Sequence, residues 1–278
     1  MKVFSILSLV IALGIGGNYL AQKSTQPIVI QKEEGVAPLE KARRATFLIT
    51  LPAYNVGGSA ILVGRKKIDS GGYRYTALTA YHIIKEMAQK IAENKIKANH
   101  EMELMFQPNF HDKPLRIKLD IDDIGWAIPA HDWAAIVFDM DHKLGCVEVA
   151  TKEEFKAILP FEKIYAVGYG GGYGQQCRDG IIGTTHNEHE NIQSQIKGNL
   201  SWDIYPNKFF RPYISIWYGD SGGGVYNKEG KLIGIINGFD MISRGWNQMP
   251  VAHSTVAFKA YIVRDTLQYN KDFFLVED

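Results

Sequence analysis

The sequence predicts an all-β protein, a barrel or sandwich, with one helix in its first half and another at its C-terminal end. Three observations lead there. From Thr46 onward the chain breaks into short runs of β-branched and aromatic residues, divided by Gly and Asx clusters. The 278 residues include 27 glycines and are 46% hydrophobic, which suits many tight turns around a sizeable core. Only two stretches, 81–98 and 258–269, have the look of helices.

Taken in order, Met1 and Lys2 precede an uncharged apolar run, Val3 to Ile15, the layout of a secretory signal. Gly16, Gly17 and Ala21 offer small residues for cleavage, while Val3 to Ala21 is also long enough to stay as a membrane anchor. Residues 1–21 therefore read as signal peptide or anchor. Residues 22–44, mixing charge with Pro27, Gly35 and Pro38, read as a tether. The chain is expected to be exported, either secreted or periplasmic, or held at the membrane by its N-terminal segment alone.

The folded domain is expected over 45–270, with a tail at 271–278. Its predicted strands are Thr46–Leu51, Ser59–Val63, Tyr73–Thr79, Glu103–Phe106, Leu115–Leu119, Trp133–Phe138, Ile164–Val167, Gly180–Thr184, Pro212–Trp217, Gly223–Tyr226 and Lys231–Ile236. The helix predicted at Tyr81–Ala98 sets Ile83, Ile84, Met87, Ile91 and Ile96 roughly on one face, and a second helix closes the chain at Phe258–Tyr269. A formal net charge of +1, with 31 basic and 30 acidic residues interspersed, argues against a nucleic-acid partner. Cys146 and Cys177 are the two cysteines, and their spacing fits neither a redox nor a metal motif. They are either free thiols or one disulfide.

The chemistry concentrates in Tyr218-Gly219-Asp220-Ser221-Gly222-Gly223-Gly224, set between apolar strands. A serine hydroxyl needs a base to take its proton and backbone donors to hold an oxyanion. Glycines on both sides let the chain turn sharply, so that the N–H groups of Gly219 and Ser221 can converge on one point. Gly219, Ser221 and Gly223 also match a G-x-S-x-G elbow, but that fold needs its acid and then its histidine after the serine. Here His253 is the one histidine downstream, and no βα alternation precedes the serine. Upstream, His82 follows the apolar strand ending Thr79-Ala80, and Asp132 stands directly before the apolar run Trp133–Phe138. The order is then histidine, aspartate, serine.

Three segments, Thr79–Ile83, His131–Phe138 and Gly219–Gly238, resemble the three motifs of trypsin-like serine peptidases, the compact, disulfide-poor bacterial form above all. The resemblance runs over about residues 45–270. It implies two six-stranded antiparallel β-barrels with the site between them, endopeptidase action on a protein or peptide substrate, and no cofactor or metal. It implies Ser221 as nucleophile, His82 as base and Asp132 as the residue that orients the imidazole. By position Ser215 would lie near the base of the substrate side-chain pocket, with Asn237, Gly238 and Phe239 along its wall. His131, next to Asp132, is expected to point away from the site.

Departures from the pattern raise their own questions. Activatable members pair the residue at Asp220 with a newly cut N-terminal amine, and no Ile-Val-Gly-Gly-like start precedes the first strand here. Arg43-Arg44 is a candidate cleavage point or a basic surface patch. The loop 186–211 carries His186 and His189 in an HxxH spacing that a polar loop lacking a third ligand leaves solvated. Two other functions stay open: a catalytically silent relative that binds in the cleft, and a serine esterase.

Overall fold

The computed structural model describes residues 37–69, 71–93, 101–106, 113–119, 124–172, 174–185, 206–244 and 247–269, with Phe273 and Leu275. The signal or anchor segment, the tether as far as residue 36, residues 94–98 and the HxxH spacing lie outside the described residues.

Thirteen strands build two antiparallel sheets from the described residues. The first holds β1 (Thr46–Leu51), β2 (Val56–Lys67), β3 (Tyr73–Thr79), β4 (Met102–Phe106), β5 (Leu115–Leu119), β6 (Ile124–Ile128) and β7 (Trp133–Met140), in the order β5-β4-β1-β2-β3-β7-β6. The second holds β8 (Lys163–Gly168), β9 (Gln176–Thr184), β10 (Phe209–Tyr213), β11 (Gly224–Tyr226), β12 (Leu232–Arg244) and β13 (Asn247–Lys259). It closes into a barrel in the order β10-β13-β12-β11-β8-β9, with β9 bonded back to β10.

The expectation of two six-stranded barrels therefore holds for the second sheet only. The first is a curled half-barrel of seven strands, because β6 adds a hairpin outside β7 and no ladder joins it to β5. Edge strand β5 is blunted by charge: Arg116 and Lys118 point outward to Glu103 and Glu101, while Ile117 and Leu119 are buried. In β2 the register shifts between Leu62 and Gly64, a bulge that bends this long strand.

Several boundaries move for physical reasons. The segment predicted as a strand at Pro212–Trp217 ends its ladder at Tyr213. Ile214 and Ile216 are buried as in a strand, but the backbone beyond turns, with the Asp220 N–H on the Trp217 carbonyl. Strand β13, which the sequence hid behind Pro250 and His253, pairs with β12 across two register shifts. Helix α1 (Pro38–Ala45) claims the end of the expected tether and buries Ala42 and Ala45. Helix α2 (Tyr81–Glu93) buries Ile83, Ile84 and Met87 as its pattern predicts. Helix α3 (Lys152–Ala157) is too short for a periodic signal and rests on a Thr151–Glu154 capping box. Helix α4 (Ala260–Leu267) starts later than expected because Phe258 and Lys259 still belong to the β13 ladder.

Both cysteines are free, Cys146 buried and Cys177 exposed, so the disulfide alternative falls. Between the two sheets an extended linker is pinned at both ends. The Val147 N–H donates to Leu62 O on the first sheet, and the Ala150 N–H to Leu232 O on the barrel.

Lys259 is almost fully buried at the start of α4, its ammonium donating to the Asn207 carbonyl at 2.8 Å and lying over the Phe155 ring. Burial, with Lys208 nearby, brings its pKa down from 10.5 to about 8. The unfolded chain therefore binds more protons between those values, and this group favours folding increasingly as pH rises through that window. Lys259→Met is expected to raise the melting temperature at pH 7 and to flatten the pH dependence of stability above pH 8. Denaturant titrations on both sides of pH 8 test this, and an unchanged slope would contradict it.

Candidate active site

Asp132 stands at the meeting of the two sheets. A turn at Pro129–His131 brings the chain round, and Asp132 follows in the left-handed region with φ 53°. Its Oδ1 accepts the His82 backbone N–H at 2.8 Å, and its Oδ2 lies 2.9 Å from the His82 ring Nδ1. The His82 amide is one of the first amides of α2, which has no acceptor within its own helix, so one carboxylate caps α2 and orients the ring together. Asp132 is 6% exposed, while the imidazole side chain is 40% exposed and open to a ligand.

The other sheet holds the same carboxylate through Asn237. Its Nδ2 donates to Asp132 O at 2.7 Å and to Asp132 Oδ2 at 3.0 Å, and its Oδ1 accepts the Phe258 N–H at 2.9 Å. Asn237 is 3% exposed, and its side chain braces Asp132 from beneath while its backbone carbonyl lies toward the Ser221 hydroxyl. His131 stacks its ring on Phe258, 5.5 Å between centroids, which keeps it off the site. The left-handed turn at Asp132 separates it from its neighbour.

Ser221 is docked on the β3–α2 junction. Its carbonyl accepts the Ser59 N–H at 2.7 Å. Gly58 lies between this carbonyl and the helix: a Cβ there would stand 2.8 Å from Ser221 O and 2.9 Å from Ile83 Cγ1. At Gly222, φ 82°, a Cβ would fall 2.0 Å from Ser59 O and 3.0 Å from Ala80 N. Ala80 is two residues before His82. The Ser221 hydroxyl makes a long 3.5 Å contact to the Asn237 carbonyl, and no hydrogen bond joins it to the imidazole in this arrangement. Histidine and aspartate are thus coupled directly, and the serine is brought to them by its backbone.

The turn before Ser221 has a defined orientation. The Tyr218 carbonyl accepts the Gly171 N–H at 2.8 Å. In a planar trans peptide the N–H points opposite to the C=O, so the Gly219 N–H faces away from Gly171. Among the described residues neither that N–H nor the one of Ser221 has a protein acceptor. The Ser59 hydroxyl donates to Gly219 O at 2.8 Å and accepts the Tyr169 N–H at 2.9 Å, tying the turn to the first sheet. Ser59 was not singled out from the sequence, where a lone serine after two glycines carries no signal.

Beside this turn Ser215 is exposed, with its hydroxyl 3.3 Å from the Nδ1 of His253, a residue of β13. Gly238 is half-buried and pairs with Val256. Phe239 meets Tyr218 edge to face at 5.4 Å, and Trp217 and Tyr218 are exposed. The segments carrying Ser215 and Gly238 therefore flank β13 on two sides. Asp220, next to the nucleophile candidate, is fully buried and paired with Arg178 at 2.6 Å. Among the described residues no cluster of His, Cys, Asp or Glu could hold a metal ion.

A family model described as "Trypsin-like peptidase domain" matches residues 58–235. No curated protein sequence matches the chain. Many solved structures share the fold, and two serve as examples. One, described as "HtrA-type protease AlgW with tripeptide", aligns at 17% identity and TM-score 0.55 over 83% of this chain. This chain spans 61% of the length of that one. The other, Deg5, aligns at 14% identity and TM-score 0.56, covering 86% of this chain and 94% of that one. At these identities the likeness is one of fold.

Gly222→Ala tests the docking of the serine turn. A methyl group there meets backbone on two sides at a positive φ, so the variant is expected to lose at least about 2 kcal/mol of stability in urea unfolding. An unchanged midpoint would mean that the turn is not seated on Ser59 and Ala80.

Proposed function

We propose that this chain, which belongs to the trypsin-like peptidase domain family, is a serine endopeptidase acting through Ser221, His82 and Asp132. The observation that carries the reading is the pairing of His82 Nδ1 with the braced Asp132 carboxylate, beside a serine whose turn leaves two N–H groups unpartnered. Asp132 holds the proton on Nδ1, which leaves Nε2 as the basic nitrogen. Ser221 Oγ turns from the Asn237 carbonyl toward that nitrogen, a tightening common when a substrate binds. It then attacks the scissile carbonyl as its proton passes to His82. The Gly219 and Ser221 amides take the oxyanion, and the imidazolium returns the proton to the leaving amine. Water repeats the sequence on the acyl-enzyme.

A peptide substrate is favoured by family membership, and the AlgW structure of like fold is described with a tripeptide. Exposed Trp217 and Tyr218 offer apolar contact beside the nucleophile. Residue 215 is neutral, which argues against a strict preference for Lys or Arg. The apolar segment Val3–Ile15 supports export, with 1–21 cleaved or kept as an anchor, and N-terminal sequencing of exported protein tests that part.

A fluorophosphonate probe is expected to label the wild-type chain and not Ser221→Ala. If both stay unlabelled, the enzyme reading gives way to a binding module. Asp132→Asn is expected to lower kcat by about four orders of magnitude through the wrong tautomer. His82→Ala should lose at least about three orders while still folding to the native structure. Activity near the wild-type level in either variant would remove that residue from the mechanism. Turnover of peptide amides as well as esters separates a peptidase from an esterase.

A further inference from the structure

Asp220 presents a problem that a buried carboxylate must solve. Its side chain is wholly out of water, yet a charge there requires partners on the spot. Three are present. Oδ1 accepts the Gly170 N–H at 2.9 Å, while Oδ2 accepts the Trp217 N–H at 2.7 Å and the Arg178 Nη1 at 2.6 Å. The space is made by glycine: a Cβ on Gly168 would stand 2.6 Å from Oδ1, and one on Gly170 2.3 Å from Oδ2. Burial pushes the carboxyl pKa up, against the pull of the Trp217 amide, Arg178 and the Gly170 amide.

The guanidinium is held in turn. Arg178 also donates to Gln176 Oε1, and Gln176 Nε2 donates to Gly170 O at 3.1 Å. Asp220, Arg178, Gln176 and Gly170 thus form a closed ring of hydrogen bonds. The next residue, Gly171, gives its N–H to Tyr218 O and so sets which way the Tyr218–Gly219 peptide faces. The path from a single cation to the direction of the Gly219 N–H is short and continuous.

The N-terminal side is already committed elsewhere. Arg43 and Arg44 lie in the last turn of α1, both guanidiniums paired with Glu40. The Arg43 carbonyl accepts the Thr46 N–H and the Gln175 Nε2, the latter at 2.7 Å. A peptide bond in a packed helix is a poor protease substrate, because cleavage requires an extended backbone.

We propose that Arg178 is the resident counter-ion of Asp220 and the positioning residue that keeps the Gly219 and Ser221 amides turned outward, so that the uncut chain is competent for catalysis. The inference rests on the serine-hydrolase reading, but the hold of Arg178 on the turn can be measured without turnover. It excludes cleavage at Arg43–Arg44 as an activating step.

The test uses the full chain and two readouts, amide exchange at Gly170 and Trp217, and steady-state kinetics with a peptide amide. In Arg178→Met, exchange at both amides should accelerate at least about tenfold, and kcat should fall about a hundredfold with KM changed less than about threefold. Affinity for a peptidyl boronate should fall in step with kcat, which a general loss of packing would not reproduce. Should Arg178→Met fail to fold, Arg178→Lys keeps the charge without the bond to Gln176, and the same signs are expected at smaller size, about threefold for exchange and about tenfold for kcat. The double variant Arg43→Gln/Arg44→Gln should keep wild-type kinetics. Unchanged exchange and kcat in the Arg178 variants would overturn the proposal, and so would a double variant that is inactive while the wild type is active. A wild-type chain that ignores fluorophosphonate fails the hydrolase reading instead, and the exchange data still decide whether Arg178 holds the turn.

Discussion

The Asp132 carboxylate receives hydrogen bonds from both sheets: the His82 amide and ring approach from the first, and Asn237 from the closed barrel. These are charge-assisted bonds in a place nearly closed to water, where each is worth more than at the surface and where losing one leaves a charge poorly met. The relative placement of the two sheets is therefore tied to the placement of the imidazole. A barrel displaced from the half-barrel would strip Asn237 from Asp132 and leave the ring free to turn. Fold and site share one joint.

The serine side of the cleft is held by different means. Backbone contacts through Ser59, close approach at Gly58 and Gly222, and the Asp220 ring seat the turn without using the Ser221 side chain. The hydroxyl is left with one long contact and the two N–H groups with none among the described residues. Under the proposed mechanism, such a division leaves the reacting groups unengaged while hydrogen bonds fix the backbone that carries them, which is what preorganised stabilisation of a developing oxyanion requires.

The sequence made the main features legible where the local pattern is strong. Strands β1, β3 and β5 begin and end where alternation and turn residues placed them, and α2 buries the face its periodicity marks. The coupling of His82 to Asp132, fifty residues apart, followed from the order and setting of the motifs. What stayed hidden is tertiary. Helix α1 has its two buried alanines in a charged stretch that reads as a linker. Strand β13 contains a proline and polar residues and is held by pairing with β12, not by propensity. The role of Arg178 could not be read from Gln176-Cys177-Arg178, because its partner is forty-two residues away across the barrel. Only its hydrogen bonds reveal the Asn237 side chain as a brace. Closure of a sheet likewise depends on whether two edges meet, which no local pattern records.

The account turns on Ser221 and the two amides beside it acting on one carbonyl. A crystal structure of the chain with a peptidyl boronic acid tests that most directly. Boron bonded to Ser221 Oγ, with one boronate oxygen within about 3.1 Å of both the Gly219 and Ser221 nitrogens, is the predicted result. A boronate bound elsewhere, or a covalent adduct whose oxygen meets neither amide, would contradict it.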